Sequence, residues 1–142
     1  MSLSPVSELT VRVNYSEVDQ MGVVYHARYI VWLDMARTEH LRRTGTTYRD
    51  MEASGYRLAV AELQMRYRQP ARYDDLVRIR CWVRELASRK VTFGYAVELA
   101  ESGSLLATGM TAMLVLRADM TPTRLPDAIR SVLMEVPDPV RL

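Results

Sequence analysis

The stretch that most constrains this chain runs from about Tyr25 or His26 to Thr44: it contains neither Gly nor Pro, its residues tolerate a helix, and Gly45 follows as a C-terminal stop. This predicts a helix of about five turns. Its first half, Tyr29-Ile30-Val31-Trp32-Leu33-Asp34-Met35-Ala36, is apolar almost all round, whereas Arg37 to Arg43 is mainly polar. A helix apolar on nearly every side has to be buried on nearly every side. The rest of the chain must supply the cover.

That cover is written in period two. Leu9, Val11, Val13 and Tyr15 share one side of a first strand, with Thr10, Arg12 and Asn14 on the other. After a short second helix, Thr47 to Ala53, four long strands follow: Leu58 to Tyr67, Leu76 to Leu86, Lys90 to Ala100 and Leu105 to Leu116. Val77, Ile79, Cys81 and Val83 face one way, as do Val91, Phe93, Tyr95, Val97 and Leu99. The connections Ala87-Ser88-Arg89 and Ser102-Gly103 are short enough to make the last three strands consecutive antiparallel neighbours. The last strand is apolar on both faces, which suits a central strand or one covered by a second subunit. Pro122 to Pro126 ends the sheet, and Asp127 to Met134 is a candidate closing helix. The expected class is α+β, an antiparallel β-sheet wrapped around a long central α-helix, in one domain spanning residues 1–142 without repeats or linkers.

Composition narrows the function by exclusion. No apolar run approaches the ~18 residues of a membrane span, and Met1 to Pro5 has neither the basic nor the apolar part of a signal peptide. The lone Cys81 leaves no disulfide within the chain and no Cys-based zinc site, as suits a reducing cytoplasm. The net charge of +2 comes without blocks of like charge, so nucleic acid is not expected as a partner. Lys90 is the only lysine, every other basic residue being arginine. No metal or cofactor is expected.

Chemistry concentrates where strand gives way to helix. Ser16-Glu17-Val18-Asp19-Gln20-Met21-Gly22 turns to polar and turn-forming types, and the glycine permits a backbone conformation closed to other residues. The run Tyr15-Ser16-Glu17-Val18-Asp19-Gln20-Met21-Gly22-Val23-Val24-Tyr25-His26-Ala27-Arg28-Tyr29, continuing through Ala36-Arg37-Thr38-Glu39-His40-Leu41-Arg42, resembles the signature of the hotdog-fold acyl-CoA thioesterases of the 4-hydroxybenzoyl-CoA thioesterase group. Tyr67-Arg68-Gln69-Pro70-Ala71-Arg72-Tyr73-Asp74-Asp75 resembles the family's segment joining its first long strands. The resemblance implies the hotdog fold, a homodimer or homotetramer with the active site at the subunit interface, hydrolysis of an acyl-CoA thioester, and Asp19 as nucleophile or general base.

The residues permit that chemistry. A thioester is cleaved when a nucleophile or activated water attacks its carbonyl while donors hold the oxygen that becomes negative. Asp19 is placed for the first task, and the unpaired N–H groups at the helix start, at Tyr25 or His26, for the second. The plainer account of Asp19 is a cap or turn residue. The His26 ring either donates to substrate or merely accompanies a useful amide. Asp34, set in the apolar half of the helix, needs a partner or positions the acyl group. Gly22 shapes the loop, and Tyr25, Tyr29 and Trp32 line an acyl pocket or belong to the core. Arg89, Lys90 and Arg124 are candidates for the phosphates of the carrier. Two other functions use the same scaffold, a hydratase or dehydratase acting on acyl thioesters and a non-catalytic acyl-CoA-binding module. A Gly-x-Ser-x-Gly elbow is absent from the sequence.

Overall fold

A computed structural model describes residues 4–142, so Met1 to Leu3 of the opening segment lie outside the described residues. Strand β1 (Ser7–Arg12) leads through a 3-10 turn (Tyr15–Glu17) and a loop to helix α1 (Arg28–Arg43); α2 (Tyr48–Ala53), β2 (Tyr56–Tyr67), β3 (Leu76–Leu86), β4 (Lys90–Leu99), β5 (Leu105–Arg117) and α3 (Asp127–Arg130) follow. The strands form one five-stranded sheet in the order β1-β3-β4-β5-β2, with every pair antiparallel. This is the hotdog arrangement, and the last strand, β5, is central because β2 pairs with its free side.

The inner face of the sheet is the apolar set read from alternation. Val77, Ile79, Cys81 and Val83 of β3 and Val91, Phe93, Tyr95 and Val97 of β4 are all buried against α1, with Tyr29, Trp32, Leu33 and Ala36 facing them in one core. Each large side chain removed from water in this layer contributes about 1.5–3 kcal/mol before the cost of ordering it. The seat of the helix is set partly by Gly109 on β5. A Cβ there would lie 2.7 Å from Met65 Sδ, 3.0 Å from Gln64 O and 3.2 Å from Leu33 Cδ1, so a side chain would crowd both the neighbouring strand and the helix. Burial drives the Cys81 thiol pKa far upward, which makes it an inert core group.

Five expectations change. The helix begins at Arg28, not at Tyr25 or His26, because Val24 N–H donates to Ala71 O and Tyr25 N–H donates back to Glu17 O, tying these residues to neighbouring loops. Its first half is not enclosed: Val31 (43%), Asp34 and Met35 (42%) are exposed, since the sheet of one chain covers only one side of the rod. Asp34 is therefore not a buried carboxylate; the buried member of its ion pair is Arg37. The closing helix stops at Arg130, after which the chain runs along the free edge of β3, where Val136 N–H donates to Val83 O. The first strand also ends early, at Arg12, because Asn14 caps the turn that contains Tyr15.

Candidate active site

Between β1 and α1 the backbone folds into a tight reversal. Gly22 N–H donates to Asp19 O, Asp19 N–H to Val23 O, and Val18 bridges to Val24. Gly22 sits at φ +79°, the left-handed region that a side chain resists, which accounts for glycine at this position. Within this reversal Asp19 Oδ1 accepts from Met21 N–H at 2.8 Å. The aspartate is thus a turn residue, and that bond leaves its other carboxylate oxygen free.

The loop forms one wall of a cavity of about 270 Å³. Asp19, Met21, Val23 and His26 come from the loop, Tyr29 from the first turn of α1, and Tyr67 to Pro70 from the end of β2 and the residues after it. Tyr67 Oη donates to the His26 carbonyl at 2.7 Å, and its ring meets that of Tyr29 edge-on at 5.2 Å. Ala71 N–H donates to Tyr29 Oη at 3.0 Å. Burial raises the pKa of both tyrosines, so they serve as neutral walls and donors.

Donors at the helix start are left over, the His26 and Ala27 N–H groups among them. Tyr25 N–H is consumed by Glu17 O at 2.9 Å, whereas His26 N–H has no protein acceptor among the described residues. The His26 ring is exposed and lies 4.5 Å from the Tyr25 ring, and its nitrogens likewise have no protein partner among those residues. An amide unpaired at a helix start, in the wall that also carries a carboxylate, is the donor set that an oxygen developing negative charge requires. No group of three or more His, Cys, Asp or Glu side chains placed to hold a metal ion occurs among the described residues.

A model of the thioesterase-like superfamily matches residues 13–133, which takes in the whole of this loop, the helix and the sheet after β1. The chain belongs to the thioesterase-like superfamily. It is 31% identical over 119 residues to the acyl-CoA thioester hydrolase YbgC of Escherichia coli, covering 84% of this chain and 89% of that one. Among solved structures it superposes on a hypothetical protein of Thermus thermophilus with a TM-score of 0.85 at 40% identity, covering 89% of this chain and 96% of the other. The DHNA-CoA thioesterase of Staphylococcus aureus superposes with a TM-score of 0.80 at 30% identity, covering 84% and 80%.

In this superfamily member the fold gathers only some of the nominated residues. Asp19, His26 and Tyr29 line one cavity, and Gly22 shapes its loop. Tyr25 stands beside it, 48% exposed, with its amide already engaged, so of the two nominated donors only that of His26 is free. Trp32 is buried behind the loop and donates to Glu17 Oε2 at 2.9 Å. Asp34 faces away, into a separate depression with Leu9, Val31 and Met35. Arg89, Lys90 and Arg124 are not brought to the cavity within one chain. Lys90 pairs with Leu114, seven residues along β5 from the Ala107 that pairs with Tyr67, a separation of about 23 Å at the rise of a strand.

Tyr67 and the Arg68-Gln69-Pro70 segment were not nominated, although they close the cavity. Alternation along β2 places Tyr67 on the same side as Met65 and Leu63, but only the pairing of β2 with β5 at the sheet edge brings it opposite the helix start. Glu17 carries nothing in the sequence that sets it apart from other polar residues of the loop.

Proposed function

We propose that this chain hydrolyses an acyl-CoA thioester to a free acid and coenzyme A, with Asp19 as nucleophile or general base and the His26 amide holding the carbonyl oxygen. The single observation that carries this reading is the Asp19 carboxylate and the unpaired His26 N–H in the walls of one cavity. Either the carboxylate adds to the carbonyl carbon, or it takes a proton from water that adds there. The C–S bond then breaks and the thiolate leaves to be protonated. On the first route this leaves a mixed anhydride on Asp19, which water hydrolyses to the free acid and the regenerated carboxylate; on the second route the free acid forms directly. Loss of a single amide donor of this kind costs about 2.7–4 kcal/mol in the transition state by analogy with a measured case.

The same reading makes the working unit an oligomer, at least a dimer. β2 is an edge strand of 12 residues without Lys or Pro, and Val60, Leu63 and Tyr67 on its inner side are exposed. A long edge with apolar side chains exposed is a template for pairing with another strand, and here only Arg57, Glu62, Arg66 and the bulge between Val60 and Glu62 interrupt it. Antiparallel pairing of two β2 edges sets the Lys90 end of one sheet beside the Tyr67 end of the other, which delivers Arg89, Lys90 and Arg124 of a second copy toward the cavity and fits them to carrier phosphates. No helix is long and apolar enough to cross a membrane among the described residues, and the single cysteine is buried. A cytoplasmic location accords with both.

The test is release of free thiol from a panel of aromatic, short-chain and long-chain acyl-CoA esters by wild type and by Asp19→Asn. Wild type is expected to turn over at least one ester, and Asp19→Asn to lose 10²–10⁴-fold in kcat, roughly the worth of a positioned base, while keeping its fold. A folded Asp19→Asn variant as active as wild type overturns the assignment. Binding of an ester without turnover by wild type replaces it with a binding module.

A further inference from the structure

Glu17 does not line the cavity, yet its hydrogen bonds tie together three parts of the structure around it. Its backbone carbonyl accepts from Tyr25 N–H at 2.9 Å, and its own N–H donates to Asn14 O at 2.9 Å. Carboxylate oxygen Oε1 accepts from Asn14 N–H at 2.8 Å, and Oε2 accepts from the indole N–H of Trp32 at 2.9 Å. Trp32 is 2% exposed and packs edge-on against Tyr29, with ring centres 5.0 Å apart, so its indole is held by the core. One residue therefore joins the start of the loop, the end of the loop and the second turn of α1.

Both groups invoked for the chemistry hang from this joint. Asp19 lies two residues after Glu17, and His26 directly follows the Tyr25 amide that Glu17 holds. With the Tyr25 amide drawn to Glu17, the His26 and Ala27 amides that follow have no acceptor among the described residues. Releasing the carboxylate from Trp32 lets the reversal pivot on its two ends and changes the spacing between the Asp19 carboxylate and the His26 N–H. A catalytic group displaced by about 1 Å loses much of its effect.

We infer that Glu17 is a positioning residue of the active site, which clamps the Asp19 loop to Trp32 of α1 and so sets the Asp19 carboxylate against the His26 amide. This rests on the thioesterase reading, which it deepens. An amide side chain at position 17 can accept only through its one oxygen, so Glu17→Gln keeps the shape and loses one of the two carboxylate bonds. Trp32→Phe removes the same bond from the other side while keeping an aromatic ring.

In Glu17→Gln and Trp32→Phe, kcat for the best ester is expected to fall about tenfold, the worth of one hydrogen bond of this class, with KM changed by less than about twofold. Backbone amide NMR signals of Met21, which reports the Asp19 carboxylate, and of His26 are expected to shift in both variants, while signals of β3 and β4 stay in place. Met21 and His26 signals that coincide with those of wild type overturn the inference, as does an unchanged kcat in a wild-type-active background. Should wild type hydrolyse no ester at all, the thioesterase reading falls, and the two amide signals still decide whether Glu17 sets the loop.

Discussion

The two ends of α1 spend their polar groups in opposite ways. Toward its C-terminal end, buried polar side chains are all paired. Arg37, 6% exposed, donates through Nε to Tyr48 Oη at 2.7 Å and through Nη1 to Tyr95 Oη at 3.0 Å, and its remaining arm meets Asp34. Tyr95 Oη in turn shares a hydrogen bond with Thr111 at 2.7 Å, and His40 Nδ1 is 2.7 Å from Ser7 Oγ. At the N-terminal end the helix has no side-chain cap, Tyr25 and His26 are exposed, and an amide and a carboxylate stand open to a cavity. One end fixes the rod on the sheet, and that fixity is what allows the other end to hold unpaired groups in place.

Breaking the anchored end should have the largest effect. Arg37→Met removes a buried cation and strips Tyr48 and Tyr95 of the donors that satisfy their phenol oxygens. It is expected to cost roughly 3–5 kcal/mol of stability, two hydrogen bonds to a charged group at about 1.5–3 kcal/mol each, read as a lower urea midpoint with an unchanged slope. The exposed Asp34 is not expected to add to that cost, since water takes over its solvation. A loss below about 1 kcal/mol would show that the network fills space and does not anchor the helix.

The same end carries a pH signature. Burial, helped by the nearby Arg43 cation and only partly opposed by the Cys81 carbonyl, lowers the His40 pKa from 6.5 to about 4. The imidazole therefore stays neutral in the folded protein down to about pH 4, while the unfolded chain takes up that proton near pH 6.5. Between those values the unfolded state binds more protons, so stability falls as pH is lowered through the window and levels off below it with respect to this group. The expected contribution is on the order of 3 kcal/mol, and His40→Gln should flatten that part of the profile in denaturant titrations from pH 7 to 4. An unchanged slope in the variant assigns the acid sensitivity to carboxylates elsewhere.

How far this contrast was legible in the sequence follows from which interactions are local. Period-two alternation locates β3 and β5 to within a residue, because each strand's pattern is set by its own two faces. The loop chemistry at Asp19 and Gly22 is readable because both act through backbone atoms two or three residues away. The start of α1 was misplaced since Tyr25 and Val24 are held by Glu17 and Ala71, contacts that no propensity of the helix residues encodes. Asp34 was taken for a buried group needing rescue for a similar reason: helical spacing says that Asp34 and Arg37 are neighbours, but only the packing against Tyr48 and Tyr95 decides which is inside. Tyr67 became part of the cavity through sheet order, a property of the whole chain.

At the open end the remaining question is whether His26 acts through its ring or its backbone, and the two predict different magnitudes. The ring is exposed, touches Tyr25 and, at 6.5 Å, the edge of Tyr67, and has no protein hydrogen bond among the described residues. Its carbonyl is held by Tyr67, and its N–H is an unpaired donor. Replacing the side chain by alanine leaves both backbone groups where they are. His26→Ala is therefore expected to lower kcat by less than about tenfold, well short of the 10²–10³-fold that removal of an oxyanion donor costs. A hundredfold loss in a folded His26→Ala protein, measured on the ester that wild type turns over fastest, would move the catalytic role from the amide to the imidazole and with it the reason for a histidine at this position.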